Sequence, residues 1–390
     1  MTHLTIIGAG MSPGDLTCQA RTAVESADCI LGAPRLTAPF LEKKPCFPGY
    51  TPGDVAKYAH VHDRIAVLLS GDVGFYSGAA KLLDAYPDAE LIPGISSVTA
   101  FFAKCHLPWQ EAALVSAHGK QCCPAEPVRR NAFTFFLTGG NVPELAQALT
   151  DAGFGHLKVH IGENLGAESE RIFCTTPSEL CSLSLSSLTV LLVENPHPDT
   201  RLRVGIADEA FVRTTVPMTK QAIRAQIASC LQPRQTDTLW DVGCGTGSVT
   251  VEMALAAHKG RVYACDVVPE AVALTRENCR KFHISNVTVK EGAAPEALMD
   301  FPAPDAVFIG GSKGNLSQII GAALSKNPNA LIVLTAIALE TLTQGMAALQ
   351  DAGLDVEIQQ VFAAQAKSVG KLHLLMGQNP TFILTGRRTL

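Results

Sequence analysis

The sequence lacks an excess of positive charge. Its 31 lysines and arginines stand against 36 acidic residues, for a formal net charge of −5, which argues against general affinity for nucleic acid. No block of like charge supplies a basic arm. No apolar run reaches the roughly 18 to 20 residues that a membrane span needs. The opening MTHLTIIGAG has no basic segment and no cleavage-type stretch, so it reads as a first strand, and a cytoplasmic protein is expected. No fixed-period repeat appears. The twelve cysteines never take a C-x-x-C spacing, and the adjacent Cys122 and Cys123 are not a usual ligand pair. No metal site is expected, and the cysteines read as reduced, buried, small hydrophobes. Convincing Ser–His or Cys–His pairs are also missing.

What is present is a chain of 390 residues, 47% apolar and 17% charged, long enough for two cores. Short apolar runs alternate with helical patterns, the signature of α/β architecture with mainly parallel sheets. The stretch NPHPDTRLRVGIADEAF is the expected seam, dividing domains 1–203 and 204–390. In the second half, strands are expected at TLWDV, RVYACDV, VTVKEG, DAVFIG, ALIVLTA, VEIQQVFA and TFILTG, with helices separating the first six. Together they predict a seven-stranded doubly wound sheet with an antiparallel end. PMTKQAIRAQIASCL reads as a helix capped by Thr219, with Ile223, Ile227, Cys230 and Leu231 on one face. The first half is also α/β, and its glycine-rich turns sit at strand ends, where open α/β sheets bind ligands.

In LWDVGCGTGS, Gly243, Gly245 and Gly247 alternate with single residues between a strand and a helix. Such a turn lets backbone approach a ligand, and the helix behind it offers unpaired N–H groups. The dinucleotide spacing fails, because its sixth position is Ser248. Asp241 would also repel a pyrophosphate. It suits a ligand with an ammonium or sulfonium and no phosphate, namely S-adenosylmethionine. Asp266, at the end of the next strand, is placed for ribose hydroxyls. Gly292, Ala293 and Ala294 could border the adenine.

These residues resemble the class I S-adenosylmethionine-dependent methyltransferases. With PMTK and FIGGSKGNL, they resemble more narrowly the decarboxylating methylases of cobalamin synthesis, over residues 205 to 390. The resemblance implies that Thr219, Gly243, Gly245, Thr246, Gly247, Asp266 and Ala294 join Asp241 in the cofactor site. Ala293 departs from the acid that many relatives carry.

The first loop, IIGAGMSPGD, fits a dinucleotide pattern at Gly8 and Gly10, but the sixth position is Pro13, which has no N–H to offer a phosphate. With SGDVGFYSG, IPGISSVTA and SAHG, it resembles the tetrapyrrole methylases over roughly residues 1 to 200. That family has two α/β lobes with S-adenosylmethionine between them. The resemblance implies cofactor contacts at Gly71, Asp72, Val73, Ser96 and Ser97, with the Pro13 loop facing the cleft. The usual Gly-Asp-Pro is Gly-Asp-Val here, and the first loop is two residues longer than the common GAGPGD. Asp72 could equally cap a turn, Ser96 and Ser97 could open a helix, and His118 reads better as a structural donor than as a base.

The order of the two halves resembles the decarboxylating precorrin methyltransferases. It implies two cofactor sites, methylation of a precorrin at C5 and C15, and loss of carbon dioxide from the ring C acetate. Attack on a sulfonium methyl asks mainly for alignment. Glu252 is a candidate proton donor for the decarboxylation, with an exposed helix glutamate as the plain alternative. Acceptor carboxylates call for basic groups at the clefts, for which Lys220 and Lys313, then Arg21 and Arg35, are the candidates. A homo-oligomer is expected, with no nucleic-acid or membrane partner. A methyltransferase acting on another polycarboxylate or a base, a non-catalytic S-adenosylmethionine sensor and an NAD enzyme are the alternatives.

Overall fold

The computed structural model describes residues 2–118, 123–200 and 204–388. Two compact units form, the first mainly from residues up to Pro198 and the second mainly from Asp199 onward. Cys122 and the boundary expected at residue 203 lie outside the described residues.

The first unit holds two five-stranded sheets. Strands β1 (His3–Gly8), β2 (Cys29–Gly32), β3 (Cys46–Pro48), β4 (Arg64–Leu69) and β5 (Glu90–Ile92) run parallel in the order β3-β2-β4-β1-β5. β1 and β4 are buried from their second residue onward, so they read as unbroken apolar runs rather than alternating ones. The second sheet is built from β6 (Ala113–Ser116), β7 (Phe133–Leu137), β8 (Lys158–Glu163), β9 (Arg171–Thr175) and β10 (Thr189–Glu194), in the order β6-β7-β10-β8-β9. Only β6 and β7 are parallel there, and the other pairs are antiparallel. The expectation of mainly parallel sheets fails at this point. β8 and β10 are as enclosed as the parallel strands of the first sheet, and strand direction leaves no mark on such a pattern. Phe101 and Phe102, on the helix Ser97–Cys105, cover this sheet with Phe135, Val190 and Leu192.

The second unit is a seven-stranded sheet in the order β13-β12-β11-β14-β15-β19-β16. Its strands are β11 (Thr238–Val242), β12 (Arg261–Asp266), β13 (Val287–Glu291), β14 (Ala306–Ile309), β15 (Leu331–Ala336), β16 (Asp355–Val361) and, after a separate hairpin of β17 (Ala364–Val369) and β18 (Leu372–Gly377), β19 (Thr381–Arg387). The first five are mutually parallel, and β19 is antiparallel to β15 and β16. Alternate residues feed two cores. Leu239 packs with Ile223, Ile227 and Val249, whereas Trp240 and Val242 pack with Ile319 and Ile320. β11 has β12 on one side and β14 on the other, so the order reverses there and opens a crevice at the strands' carboxyl ends.

Several local expectations need correction. The helix Gln221–Leu231 begins after Lys220, which makes no side-chain cap bond. Thr219 is not its cap. Its carbonyl instead accepts a hydrogen bond from Arg224. Ile223, Ile227 and Leu231 are buried as expected, but so is Arg224. Between β13 and β14 there is only a 3-10 turn, Glu296–Leu298, in place of a helix. Cys244, Cys265 and Cys279 are buried, whereas Cys18 and Cys174 are exposed. No helix among the described residues is long and apolar enough to cross a membrane.

Candidate active site

In the second unit, a cavity of about 670 Å³ opens at the carboxyl ends of the strands around β11. Its walls include Thr219 and Lys220, the loop residues Gly243, Gly245 and Thr246, Asp266 from the end of β12, Ala294 after β13, and Lys313 after β14. The sequence-expected residues are thus brought together from five separate connections. Asp266 holds the loop in place: Oδ2 accepts from the Gly245 N–H at 2.9 Å and Oδ1 from the Val268 N–H at 3.0 Å. Each oxygen keeps a lone pair for a further donor. The Thr246 hydroxyl is enclosed in this wall with no hydrogen-bond partner among the described residues.

The loop glycines serve two masters. Gly243 has φ +77°, and a Cβ there would stand 2.7 Å from the Gly311 nitrogen. Gly247 has φ +73°, and a Cβ there would stand 2.8 Å from Thr275 Cα. These two are demanded by the chain's own packing. Gly247 caps the helix Ser248–Ala256 and does not line the cavity, whereas Gly245 does.

Two expected residues stand elsewhere. Asp241 lies beneath the loop, fully buried, and does not face the cavity. Its Oδ2 accepts the Thr250 hydroxyl at 2.5 Å, and its Oδ1 has no partner. Burial pushes its pKa up to about 7; the Thr250 bond opposes this and the nearby Asp266 charge adds to it. Direct pairing of this carboxylate with a ligand ammonium is not what the geometry offers. Glu252 is neither an exposed helix glutamate nor a cavity acid. Its oxygens accept from the N–H groups of Gly205 at 2.9 Å and Ile206 at 3.0 Å and from Arg224 Nε at 2.8 Å. Arg224 also binds Asp208 Oδ1 at 2.8 Å and the carbonyls of Thr219 and Ile206. This knot clamps the segment leading into the helix Gln221–Leu231, and so positions Thr219. Lys220 is half-exposed at the cavity wall, 3.9 Å from Asp208, and Lys313 is exposed there.

In the first unit, a cavity of about 580 Å³ is lined by Pro13, Gly71, Asp72 and Ser97. Two expected residues do not line it. Val73 packs against the apolar cluster of β1 and β4. Ser96 caps the helix Ser97–Cys105, its hydroxyl accepting from the Thr99 N–H at 3.2 Å. Asp72 fastens two turns together, accepting from the Gly74 N–H at 2.8 Å and the Gly94 N–H at 3.1 Å. Gly10 and Gly71 exchange backbone hydrogen bonds, so the loops after β1 and β4 are locked side by side. Asp15, unremarked in the sequence, holds the first loop by accepting from the N–H groups of Met11 and Ser12. Arg35 lines the cavity and reaches Ser70 at 2.8 Å, and burial lowers its pKa. Arg21 turns back onto the carbonyls of Leu16 and Gly14. His118 lines the cavity with Nδ1 3.3 Å from the Thr138 carbonyl. The β8–β9 connection, Asn164 to Ser169, contributes a wall that no sequence pattern announced.

Comparison with known proteins joins the two halves. Residues 209–387 match the family model described as a precorrin methyltransferase domain, and residues 3–181 match that of the tetrapyrrole (corrin/porphyrin) methylases. A probable cobalt-precorrin-6B C(15)-methyltransferase (decarboxylating) of Pyrobaculum calidifontis is 42% identical over 184 residues, 46% of this chain and 94% of that protein. The chain belongs to the precorrin methyltransferase family. A precorrin-6Y C(5,15)-methyltransferase (decarboxylating) of a Sinorhizobium species is 31% identical over 271 residues, 67% of this chain and 65% of that protein. The crystal structure of a precorrin-6Y C5,15-methyltransferase from Geobacter metallireducens is 37% identical, covering 48% of this chain and 97% of that one, with a TM-score of 0.46. This precorrin methyltransferase is therefore an enzyme of the expected class. A tetrapyrrole-methylase-like α/β half precedes a class I methyltransferase half. S-adenosylmethionine as methyl donor and a precorrin as acceptor go with the family.

Proposed function

We propose that this precorrin methyltransferase methylates its acceptor at C5 and C15 and releases carbon dioxide from the ring C acetate, with one S-adenosylmethionine site in each half. Domains 1–203 and 204–390 would carry the C5 step and the C15-plus-decarboxylation steps respectively. The observation that carries the two-site reading is that each unit has its own cavity at strand ends, of about 580 and 670 Å³, within the size range of small-molecule sites.

The residues of the second cavity fit the cofactor. The enclosed, unpartnered Thr246 hydroxyl and the start of the helix Ser248–Ala256 suit its carboxylate. The spare lone pairs of Asp266 suit its ribose hydroxyls, and Gly292, Ala293 and Ala294 suit its adenine. In the first cavity, Pro13, Gly71, Asp72 and Ser97 form the equivalent wall, with Val73 and Ser96 supporting it from behind. S-adenosylmethionine supplies an activated methyl on a sulfonium, so the chain's task is to align donor and acceptor and exclude water. Lys220 and Lys313 hold acceptor carboxylates. Glu252, Asp241 and Gly247 act on the site only by shaping the backbone around it.

The assembly is proposed to be a homo-oligomer without nucleic-acid or membrane partners. The β17–β18 hairpin supports this. It pairs with no other strand among the described residues and exposes Leu372, Leu374, Leu375 and Met376, with Phe362 beside them. A two-stranded ribbon with that composition is not stable alone in water.

Titration of the intact chain with S-adenosylhomocysteine tests the two sites. Two equivalents should bind, and Asp266→Ala should leave one. Labelled methyl incorporation and carbon dioxide release test the chemistry, with two methyls and one carbon dioxide expected per tetrapyrrole. Binding without turnover would refute the enzymatic reading.

A further inference from the structure

In the second sheet of the first unit, β8 lies between β10 and β9. His160 on β8 is the register partner of Cys174 on β9, so their side chains leave the same face of the sheet. Glu194 ends β10 opposite Lys158, two residues before His160, which makes it the diagonal neighbour of His160 on that face. The three side chains meet in a line. His160 Nε2 is 2.5 Å from Glu194 Oε1, and His160 Nδ1 is 3.3 Å from Cys174 Sγ. Cys174 and Glu194 stand 14 and 34 residues from His160, which is why no Cys–His pair shows in the sequence. None of the three lines either cavity described above.

The proton positions follow from Glu194. Burial acts to raise its pKa, but its bonds to His160 and to Lys158, 3.3 Å away, prevail and hold it below the ordinary carboxylate value. An ionised carboxylate only accepts, so Nε2 carries the imidazole proton. In the neutral ring Nδ1 is then the acceptor, and it faces the thiol. A nucleophile beside a base that a third group orients is the arrangement used for covalent chemistry. His160 is buried and its ring is held at both nitrogens, whereas Cys174 is exposed and open to reagents. Cys105, at the end of the helix Ser97–Cys105, also faces this cluster, and burial pushes its thiol up to about 11. It stays protonated near neutral pH and does not compete for the imidazole.

We propose that Cys174 is a nucleophilic thiol and a modification site for soft electrophiles, with His160 as its proton acceptor and Glu194 orienting the imidazole. In the step, the thiol proton passes to Nδ1, a sulfur lone pair forms the new bond, and the leaving group of the electrophile departs with the pair from the bond that breaks. The imidazolium then gives its proton to water.

The test labels the intact protein with iodoacetamide, with N-acetylcysteine in the same solution as reference thiol and peptide mass spectrometry to follow Cys174. At pH 7 Cys174 should react at least about tenfold faster than the reference, since a positioned base contributes about a hundredfold or more. The advantage should shrink at pH 10, where hydroxide ionises both thiols. A thiol that is merely more accessible would keep the same ratio at both pH values. His160→Gln should label like the reference, and Glu194→Gln should fall between it and the parent, with melting temperature showing that each variant folds. A parent ratio under tenfold at pH 7, or one that does not change with pH, overturns the proposal. So does a folded variant of either kind that labels like the parent. If neither variant folds, the two ratios of the parent decide.

Discussion

At Asp241 the chain buries a carboxyl under the glycine loop and pairs only one of its oxygens. The stability consequence has a definite sign. Burial holds the folded pKa at about 7, above the ordinary carboxylate value, so the folded state holds a proton that the unfolded chain gives up. That contribution is complete below pH 4 and is lost as pH rises through about 7. Asp241→Asn, which stays neutral, should therefore gain stability over the parent between pH 4.5 and pH 8, by a few kcal/mol. Urea unfolding at the two pH values measures it, and an equal difference at both would refute the assignment. Gly243 and Gly247 make a second prediction at this scale. Alanine at either position combines a left-handed φ with contact against backbone, which should cost about 1 to 3 kcal/mol and lower the melting temperature even without ligand. The spacing of these glycines was legible in the sequence. Their cause was only partly so, because the atoms that forbid a Cβ belong to Gly311 and Thr275, far along the chain.

Among elements, the helix Ser248–Ala256 is tied to the helix Gln221–Leu231 by the Glu252–Arg224–Asp208 knot. Removing one member of a buried ion pair strands the others. Glu252→Ala should thus destabilise the fold by about 3 to 5 kcal/mol, as read by denaturant titration. If Glu252→Gln folds, it should release as much carbon dioxide per methyl as the parent, and selective loss of carbon dioxide release would restore the proton-donor role. Apolar runs such as TLWDV and LTVLLVEN announced their strands, and the fold class followed from their alternation with helices. Glu252 escaped the sequence reading because its partners sit 46 and 47 residues away. The antiparallel pairs in the second sheet of the first half escaped because enclosed strands look alike in either direction. Gly370 at the tip of VGKL, with φ +61°, was the one cue to the hairpin, and a two-residue turn containing glycine suits that role.

For the whole molecule, the exposed hairpin makes assembly testable. Leu375, 76% exposed, should be replaceable without harm in an isolated chain. In the proposed oligomer, Leu375→Lys should shift the sedimenting mass downward at unchanged secondary structure, and an unchanged mass would leave the hairpin without its second copy. The placement of Arg224 has a practical corollary for anyone dividing the polypeptide. The family match in the second half starts at residue 209, yet the guanidinium is held by the Ile206 carbonyl and Asp208, and Glu252 by the amides of Gly205 and Ile206. A fragment trimmed to the matched region would retain every strand of its sheet, yet leave Arg224 with only Glu252 and the Thr219 carbonyl and strip Glu252 of both its amide donors. A separately expressed second half has to begin upstream of Gly205 to be recovered in native form.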